Sequence, residues 1–112
     1  MNILVIYSER IAKVTKEQME QRQNAYMRSC GTCAVCGKPL CYGQGQLAHK
    51  IGNTEVNRKK YGSFFIDNTW NGEMVCSLSC NASVDVGCNM GEQLKVLADI
   101  LVAEMKKFDG GA

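Results

Sequence analysis

Cys76-Ser-Leu-Ser-Cys80-Asn81 and, about forty residues before it, Cys33-Ala-Val-Cys36-Gly37 are the two cysteine pairs around which the chain must fold. A CxxC turn with a glycine just after it lets two thiolates converge on one tetrahedral ion. The longer CxxxC spacing also fits if Cys80 lies on the first turn of a helix, because positions i and i+4 share a helix face. The sequence therefore predicts a structural zinc site with Cys33, Cys36, Cys76 and Cys80 as its ligands.

Other cysteines leave part of this ligand set open. Cys30 forms a second CxxC with Cys33, and Cys41 lies just downstream, so either could replace a ligand of the first pair. A redox CxxC is the competing interpretation, but no βαβ pattern surrounds it. The seventh cysteine, Cys88, is assigned no role, and an odd total leaves one thiol over in any complete disulfide pairing.

At 112 residues the chain is expected to form one domain with a modest core, which a metal would help to stabilise. We divide it into an N-terminal strand and helix (1–29), a zinc-stapled centre (30–87) and a C-terminal helix (89–108). The apolar run at residues 2–7 predicts a short strand or the start of a buried helix. It lacks a basic flank and is too short to span a bilayer, so the expectation is a cytoplasmic protein that does not enter membranes.

The N-terminal helix is predicted at about residues 16–29. Thr15 and Gln18 have the spacing of a capping box, and Val14 and Met19 have that of a hydrophobic staple. We expect Met19, Tyr26 and the stem of Arg22 on the inner side of this helix.

The centre of the chain predicts two pairing strands and a short helix. Residues 46–51 alternate apolar and polar side chains, which is typical of a half-buried strand with His49 on the face of Leu47 and Ile51. The second strand is expected to start at Met74-Val75, with a helix at about 78–86. Between the strands, 52–63 forms a polar, basic insertion that ends at an apolar anchor, residues 64–66.

The C-terminal helix carries the clearest pattern. Asn89 is its predicted N-cap, with Glu92 at the third helical position. One stripe of this helix is apolar and predicts either a cover for the core or the surface of a homodimer: Leu94, Leu97, Ala98, Leu101, Met105 and Phe108.

Between the two cysteine pairs stand Leu47-Ala-His49-Lys-Ile51 and Asn71-Gly-Glu-Met-Val-Cys76. With these segments in this order, the chain resembles the HNH endonucleases, the His-Me finger or ββα-metal fold, over roughly residues 30–87. The resemblance implies a small α+β fold with a zinc-carrying ββα-metal core, between an N-terminal helix and a long C-terminal helix.

The resemblance also implies a role for several residues. His49 would be the general base that activates water, and Asn71 would hydrogen-bond across the hairpin loop to orient it. Asn81 would bind Mg²⁺ or another divalent ion at the scissile phosphate of DNA. The chain departs from the family at Ala48, where an acid or a second histidine commonly binds this ion. The metal must then be held otherwise, and Asp67 is slightly favoured over Asn68 and Asp85.

The charge distribution predicts how DNA would be bound. Between residues 31 and 65 positive charges exceed negative ones by four, although the whole chain is only +2. The residues expected at the phosphates are Lys50, Arg58, Lys59 and Lys60, but an ordinary solvated loop explains the lysines as well. Trp70 could stack on a base, and a core position is the favoured interpretation.

Three functions remain open from the sequence. The first is a metal-dependent DNA endonuclease, which His49, Asn71 and Asn81 favour. The second is a non-catalytic zinc knuckle that binds nucleic acid or a protein, which Ala48 favours. The third is a structural zinc protein that dimerises through its C-terminal helix.

Overall fold

A computed structural model describes residues 15–41 and 43–110, with side chains as far as Lys107. The described part is a small compact α+β fold with five α-helices and a two-stranded sheet. The elements are α1 (Lys16–Arg28), β1 (Gln46–His49), α2 (Glu55–Tyr61), α3 (Ser63–Ile66), a 3₁₀ turn (Thr69–Asn71), β2 (Gly72–Val75), α4 (Leu78–Val84) and α5 (Met90–Gly110). The predicted element at 2–7 lies outside the described residues.

Helix α1 begins at the predicted capping box. The Thr15 hydroxyl accepts a hydrogen bond from the Gln18 backbone N–H, and the Gln18 side chain accepts one from the Thr15 N–H. The prediction that Met19 lies on the inner side of this helix is wrong, because its side chain is 63 % exposed. Gln21 and Ala25 are buried instead.

The burial of Gln21 has a local explanation. Its side-chain N–H groups donate to the backbone carbonyls of Ile66 and Asn68, at 2.9 and 2.8 Å. It lies so close to Gly72 that a Cβ on that glycine would come within 3.2 Å of Gln21 Cγ. Specific hydrogen bonds therefore turn a polar residue to the sheet, while Tyr26 and Arg22 are half-buried as predicted.

The sheet is one antiparallel pair in which Gln46 lies opposite Val75 and His49 lies opposite Gly72. β1 starts where the alternating pattern predicts, and β2 starts two residues before Met74. Helix α1 packs against β2 and helix α4 packs against β1. The chain order from the sheet onward is therefore strand, insertion, strand and helix.

The insertion between the strands contains a helix that the sequence analysis did not identify. The Thr54 hydroxyl caps α2 by accepting from the Asn57 N–H at 3.1 Å. Gly62, at φ +84°, ends α2 and starts α3. The predicted apolar anchor is confirmed at Ile66, which is buried, whereas Phe64 is exposed.

Buried side chains form two clusters. The first, which we call the knuckle core, consists of Cys33, Ala48 and Val75, with Leu40, Cys76, Cys80 and Val84 packed against it. The second, the helix core, consists of Ile51, Ile66, Val96 and Ile100, with Tyr61, Phe65, Val86 and Leu97 packed against it.

Helix α5 begins as predicted but buries a different face. The Asn89 side chain accepts from the Glu92 N–H, which confirms the cap. The buried residues are Gln93, Val96 and Ile100, so the apolar stripe does not cover the core, except for the half-buried Leu97. Gln93 can be buried because it donates to the Gly87 carbonyl and accepts from the Tyr61 hydroxyl. The side chain of Phe108 lies outside the described residues.

Within the described ranges, every helix is too short or too polar to cross a lipid bilayer.

Candidate functional site

The structure brings the four predicted cysteines together. The Sγ atoms of Cys33, Cys36, Cys76 and Cys80 all lie within 4.8 Å of one another. Cys36 Sγ is 3.5 Å from Cys76 Sγ, which is 3.8 Å from Cys80 Sγ. A tetrahedral zinc site with Zn–S distances of about 2.3 Å separates its sulfurs by roughly 3.8 Å. The cluster therefore has the composition and the spacing to hold a metal ion such as zinc.

The first pair is positioned by a tight turn against β2. Cys33 N–H donates to the Lys38 carbonyl and Ala34 N–H donates to the Met74 carbonyl, both at 2.8 Å. Gly37 closes the turn at φ +79°, a conformation that favours glycine, and its N–H donates to the Cys33 carbonyl. The glycine after CxxC is thus required by the backbone of the turn.

The second pair spans the start of α4. Ser77 is the N-cap of this helix, and its hydroxyl accepts from the Cys80 N–H at 3.2 Å. Cys76 precedes the cap and Cys80 lies on the first turn, which is the placement that the CxxxC spacing predicts. The three other cysteines (Cys30, Cys41 and Cys88) are exposed and lie outside the cluster.

The acidities of the thiols favour a bound cation. Burial would raise the pKa of Cys33, but three backbone N–H groups lower it to about 6, so this residue is readily a thiolate. The Ser77 hydroxyl lowers the pKa of Cys80, yet partial burial and the neighbouring sulfurs raise it to about 11. Four thiolates at this spacing repel one another, so full deprotonation requires a cation among them.

His49 stands at the end of β1 and is half-buried. Burial lowers its pKa below the ordinary value of 6.5, and Arg58 acts in the same direction. The carboxylates of Asp67 and Asp85 oppose this shift electrostatically. His49 is therefore a neutral imidazole at pH 7, with two acidic groups near enough to act on it.

Asn71 fixes the backbone that follows His49. It is fully buried, and its side-chain oxygen accepts from the Ile51 N–H at 2.9 Å. Its amide group donates to the carbonyls of Ile51 and Ile66, and its own carbonyl accepts from the Lys50 N–H. The Asn71 side chain is thus bonded across the hairpin to Ile51 and within the insertion to Ile66. The role in orienting His49 that the resemblance implies stays a prediction.

The two acidic groups near His49 differ in their partners. Asp67 binds both terminal nitrogens of Arg58, at 2.5 and 3.1 Å, which raises the pKa of Arg58. Asp85 ends α4, and the next residue, Val86, donates its N–H to the Lys50 carbonyl at 2.9 Å. That hydrogen bond places Asp85 beside the end of β1. Asp67 is thus neutralised by an arginine, whereas no basic side chain is paired with Asp85 in the described part of the chain.

Asn81 and Ala48 lie on the side of the sheet that faces the cysteines. The Asn81 amide donates to the side-chain oxygen of Gln46 at 3.4 Å, and Gln46 lies three residues before His49. Ala48 is fully buried in the knuckle core. Asn81 is therefore held near the start of β1 and not at the His49 end. Among the described residues, the four cysteines are the only group of three or more Cys, His, Asp or Glu that could hold a metal.

No family model, curated protein or solved structure matches this chain. The resemblance to HNH endonucleases consequently rests on the motif residues themselves.

The predicted cations are divided between structural and solvent-facing positions. Arg58 is held by Asp67, and Lys50 lies 3.5 Å from Glu73. Lys59 and Lys60 lie on α2 and are exposed. Lys59 forms a surface ion pair with Glu55 at 3.1 Å, and the Lys60 ammonium lies 5.1 Å from the centroid of the Tyr61 ring. Two of the four cations therefore face solvent, where such contacts are weak.

Trp70 is not a core residue. Its side chain is 37 % exposed, and the Arg28 guanidinium lies over the ring at 4.8 Å from the centroid. The core interpretation is thus wrong for Trp70, because a tertiary cation–π contact stabilises it at the surface. No sequence pattern pairs Arg28 with Trp70, or Arg58 with Asp67, since both contacts join separate elements.

Proposed function

We propose that this protein is a metal-dependent HNH-type endonuclease that hydrolyses DNA phosphodiester bonds with His49 as general base. The observation that carries the proposal is the placement of His49, neutral and half-buried at the end of β1. Asn71 holds the backbone behind it, and α4 brings Asp85 alongside. The order strand, insertion, strand and helix is also the order that the resemblance implies.

The chemistry follows from the neutral imidazole. His49 would accept a proton from a water molecule as the water oxygen attacks phosphorus and the bond to the leaving oxygen breaks. A divalent cation, when bound, would stabilise the negative charge that develops on the phosphate and the leaving oxygen. Asn71 would keep the ring directed at the water, because its hydrogen bonds restrict residues 50 and 51.

Of the oxygen-bearing side chains considered as ligands for Mg²⁺, one has no cationic partner and two are already bound to other side chains. Asp85 is the best candidate, because the Gly87 N–H holds one of its carboxylate oxygens and no basic side chain of residues 15–41 and 43–107 forms an ion pair with it. Asp67 would first have to exchange Arg58 for the ion. Asn81 would have to leave Gln46. We therefore assign Asp85 as the protein carboxylate for Mg²⁺, in preference to Asp67, and expect phosphate and water to complete the coordination.

One observation favours a second function. The position of the usual family ligand is Ala48, which is buried among apolar side chains and has no oxygen to offer. A protein that keeps the knuckle without this ligand could bind nucleic acid through Lys59 and Lys60 and leave it intact.

A plasmid-relaxation assay in Mg²⁺ and Mn²⁺ tests the proposal. We expect His49→Ala to reduce nicking by about 10²- to 10⁴-fold, the usual contribution of a general base. Asp85→Asn should also reduce nicking and raise the Mg²⁺ concentration needed. Glu20→Gln, an exposed acid on α1, is the matched control and should nick like the native chain.

Binding measured in parallel separates the two functions. In the nuclease, His49→Ala binds DNA as the native protein does, and affinity falls steeply with salt. Salt-sensitive binding without any cleavage by the native, zinc-loaded protein would favour the binding module and reject the nuclease.

A further inference from the structure

The loop between α4 and α5, residues 85–89, carries Asp85 and is held in place by hydrogen bonds. Gly87 lies at the centre of this loop with φ +67°, in the left-handed region that favours glycine. Its N–H donates to Asp85 Oδ1 at 2.7 Å. The direction of the Asp85 carboxylate therefore depends on where the backbone of Gly87 is held.

Gln93 holds the other side of Gly87. The Gln93 side chain is buried, at 4 % exposure, and its amide group donates to the Gly87 carbonyl at 2.8 Å. Its side-chain oxygen accepts from the Tyr61 hydroxyl, and Tyr61 packs against the helix core. A continuous chain of hydrogen bonds thus starts on α2, passes through α5 and Gly87, and ends on Asp85.

The remaining contacts of the loop place the second carboxylate oxygen beside the chain that leaves β1. The Val86 N–H donates to the Lys50 carbonyl at 2.9 Å. A Cβ on Gly52 would lie 3.6 Å from Asp85 Oδ2, and Gly52 follows His49 by three residues. One oxygen of Asp85 is therefore held by the loop, and the other lies on the side of His49.

We propose that Gln93 is a positioning residue, which holds Asp85 in the orientation that binds a divalent cation such as Mg²⁺. The inference rests on the proposed function, in which Asp85 is the protein carboxylate for the ion. A side chain that is already restricted loses less conformational freedom when it binds. Groups that orient a metal ligand typically contribute about 10- to 100-fold to metal affinity. Gln93 acts through Gly87 and does not itself contact the ion.

Titration of the zinc-loaded chain with Mn²⁺, followed by electron paramagnetic resonance of the free ion, tests this role. Asp85→Asn keeps an acceptor for the Gly87 N–H but loses the negative charge, and it should abolish tight Mn²⁺ binding. Gln93→Leu has a side chain of similar size that cannot donate to the Gly87 carbonyl. We expect it to bind Mn²⁺ about tenfold more weakly or less.

Two further variants separate positioning from a general loss of stability. Val96→Ala is the matched control, because it removes buried volume from the helix core on the same helix. It should lower the midpoint of urea denaturation and leave the Mn²⁺ affinity at the native value. Tyr61→Phe removes only the hydroxyl group that holds the Gln93 oxygen. It should weaken Mn²⁺ binding by a smaller factor than Gln93→Leu, and it tests the proposal if that variant does not fold.

Nicking measured against Mg²⁺ concentration adds a second readout. In Gln93→Leu the concentration for half-maximal nicking should rise while the maximal rate stays near native, whereas a loss of folded protein would lower only the maximal rate. A native chain that binds Mn²⁺ through Asp85 but cuts no DNA would reject the nuclease, and the Mn²⁺ affinities would still decide the role of Gln93. Native Mn²⁺ affinity in the folded Gln93 or Tyr61 variant would overturn the inference. Mn²⁺ binding that is absent from the native chain, or that Asp85→Asn does not change, would also overturn it.

Discussion

The knuckle core and the helix core meet at residues 48–51, yet they are stabilised by different means. The knuckle core has Ala48 and Val75 as its fully buried apolar residues, and the rest of it is largely cysteine. The helix core buries Ile51, Ile66 and Ile100 completely. Apolar burial can hold the second cluster, whereas the first has too little of it. A metal ion at the four cysteines would therefore supply the stability that side-chain volume does not supply in the half of the domain that carries β1, β2 and α4.

Metal removal should have the largest effect on the difference in stability between the two cores. Chelation should unfold the knuckle core, since structural zinc contributes about 10–16 kcal/mol of apparent binding energy, comparable with the whole stability of a small domain. Hydrogen exchange should show β1 and β2 amides losing protection before those of α5. C76S should have the same effect, whereas C88S, an exposed cysteine outside the cluster, should keep native protection. Equal loss of protection in α5 would show that the two cores are one cooperative unit.

Truncation in the helix core should have the next largest effect. Ile100 is 1 % exposed, so Ile100→Ala should lower the free energy of unfolding by about 2–5 kcal/mol through lost burial and a cavity. Val56→Ala, at an exposed position of α2, should change it by less than about 0.5 kcal/mol. Urea denaturation of the zinc-loaded protein measures both. If I100A retained zinc less well than native protein, metal binding would depend on the helix core.

The smallest effect expected comes from His49, which lies between the two cores. Its pKa is lowered by burial, so the unfolded chain, with an ordinary value of 6.5, binds the proton more readily. The native state therefore loses stability as pH falls from 6.5 toward the lowered value. H49Q lacks this contribution, and its stability should fall less over that window. Urea denaturation at several pH values compares the two, and the cysteine contribution cancels. If the free energies of unfolding of native protein and H49Q changed with pH in the same way, the lowered pKa of His49 would be contradicted.

The same lowered pKa would set the pH dependence of any nicking. Activity should reach its plateau at a pH below that expected for an unperturbed histidine, because the neutral base is already present there.

The features that could be predicted from the sequence are those that depend on neighbouring residues. The caps at Thr15 and Asn89, the alternation of residues 46–49 and the two cysteine spacings depend on neighbours within four residues. The cysteine cluster joins distant segments, but a metal site demands that convergence, so spacing alone was sufficient.

The parts that could not be predicted depend on tertiary hydrogen bonds. Gln21 and Gln93 are buried because carbonyl and hydroxyl groups from other elements meet their amides, and this turns α1 and α5 away from their most apolar faces. In the sequence Asp67 is a lone acid in a basic segment. In the structure α2 places Arg58 against it, which the sequence does not reveal. The cap at Thr54 was a local signal that the sequence analysis missed, since its spacing to Asn57 resembles the spacing of Thr15 to Gln18.

Asn71 is followed by Gly72, and this pair has a consequence for the ageing of the protein. Asparagine before glycine deamidates when the glycine nitrogen attacks the side-chain carbonyl carbon. In the folded chain the Gly72 N–H is bonded to the Thr69 carbonyl, and the Asn71 oxygen is held by Ile51. The reaction must therefore wait until the hairpin opens. Each opening exposes the pair, ammonia leaves as the cyclic imide forms, and water opens the imide to isoaspartate or aspartate. Neither product can donate to the Ile51 and Ile66 carbonyls as the Asn71 amide does. The extent of deamidation at Asn71 would therefore increase with the number of times that the hairpin has opened.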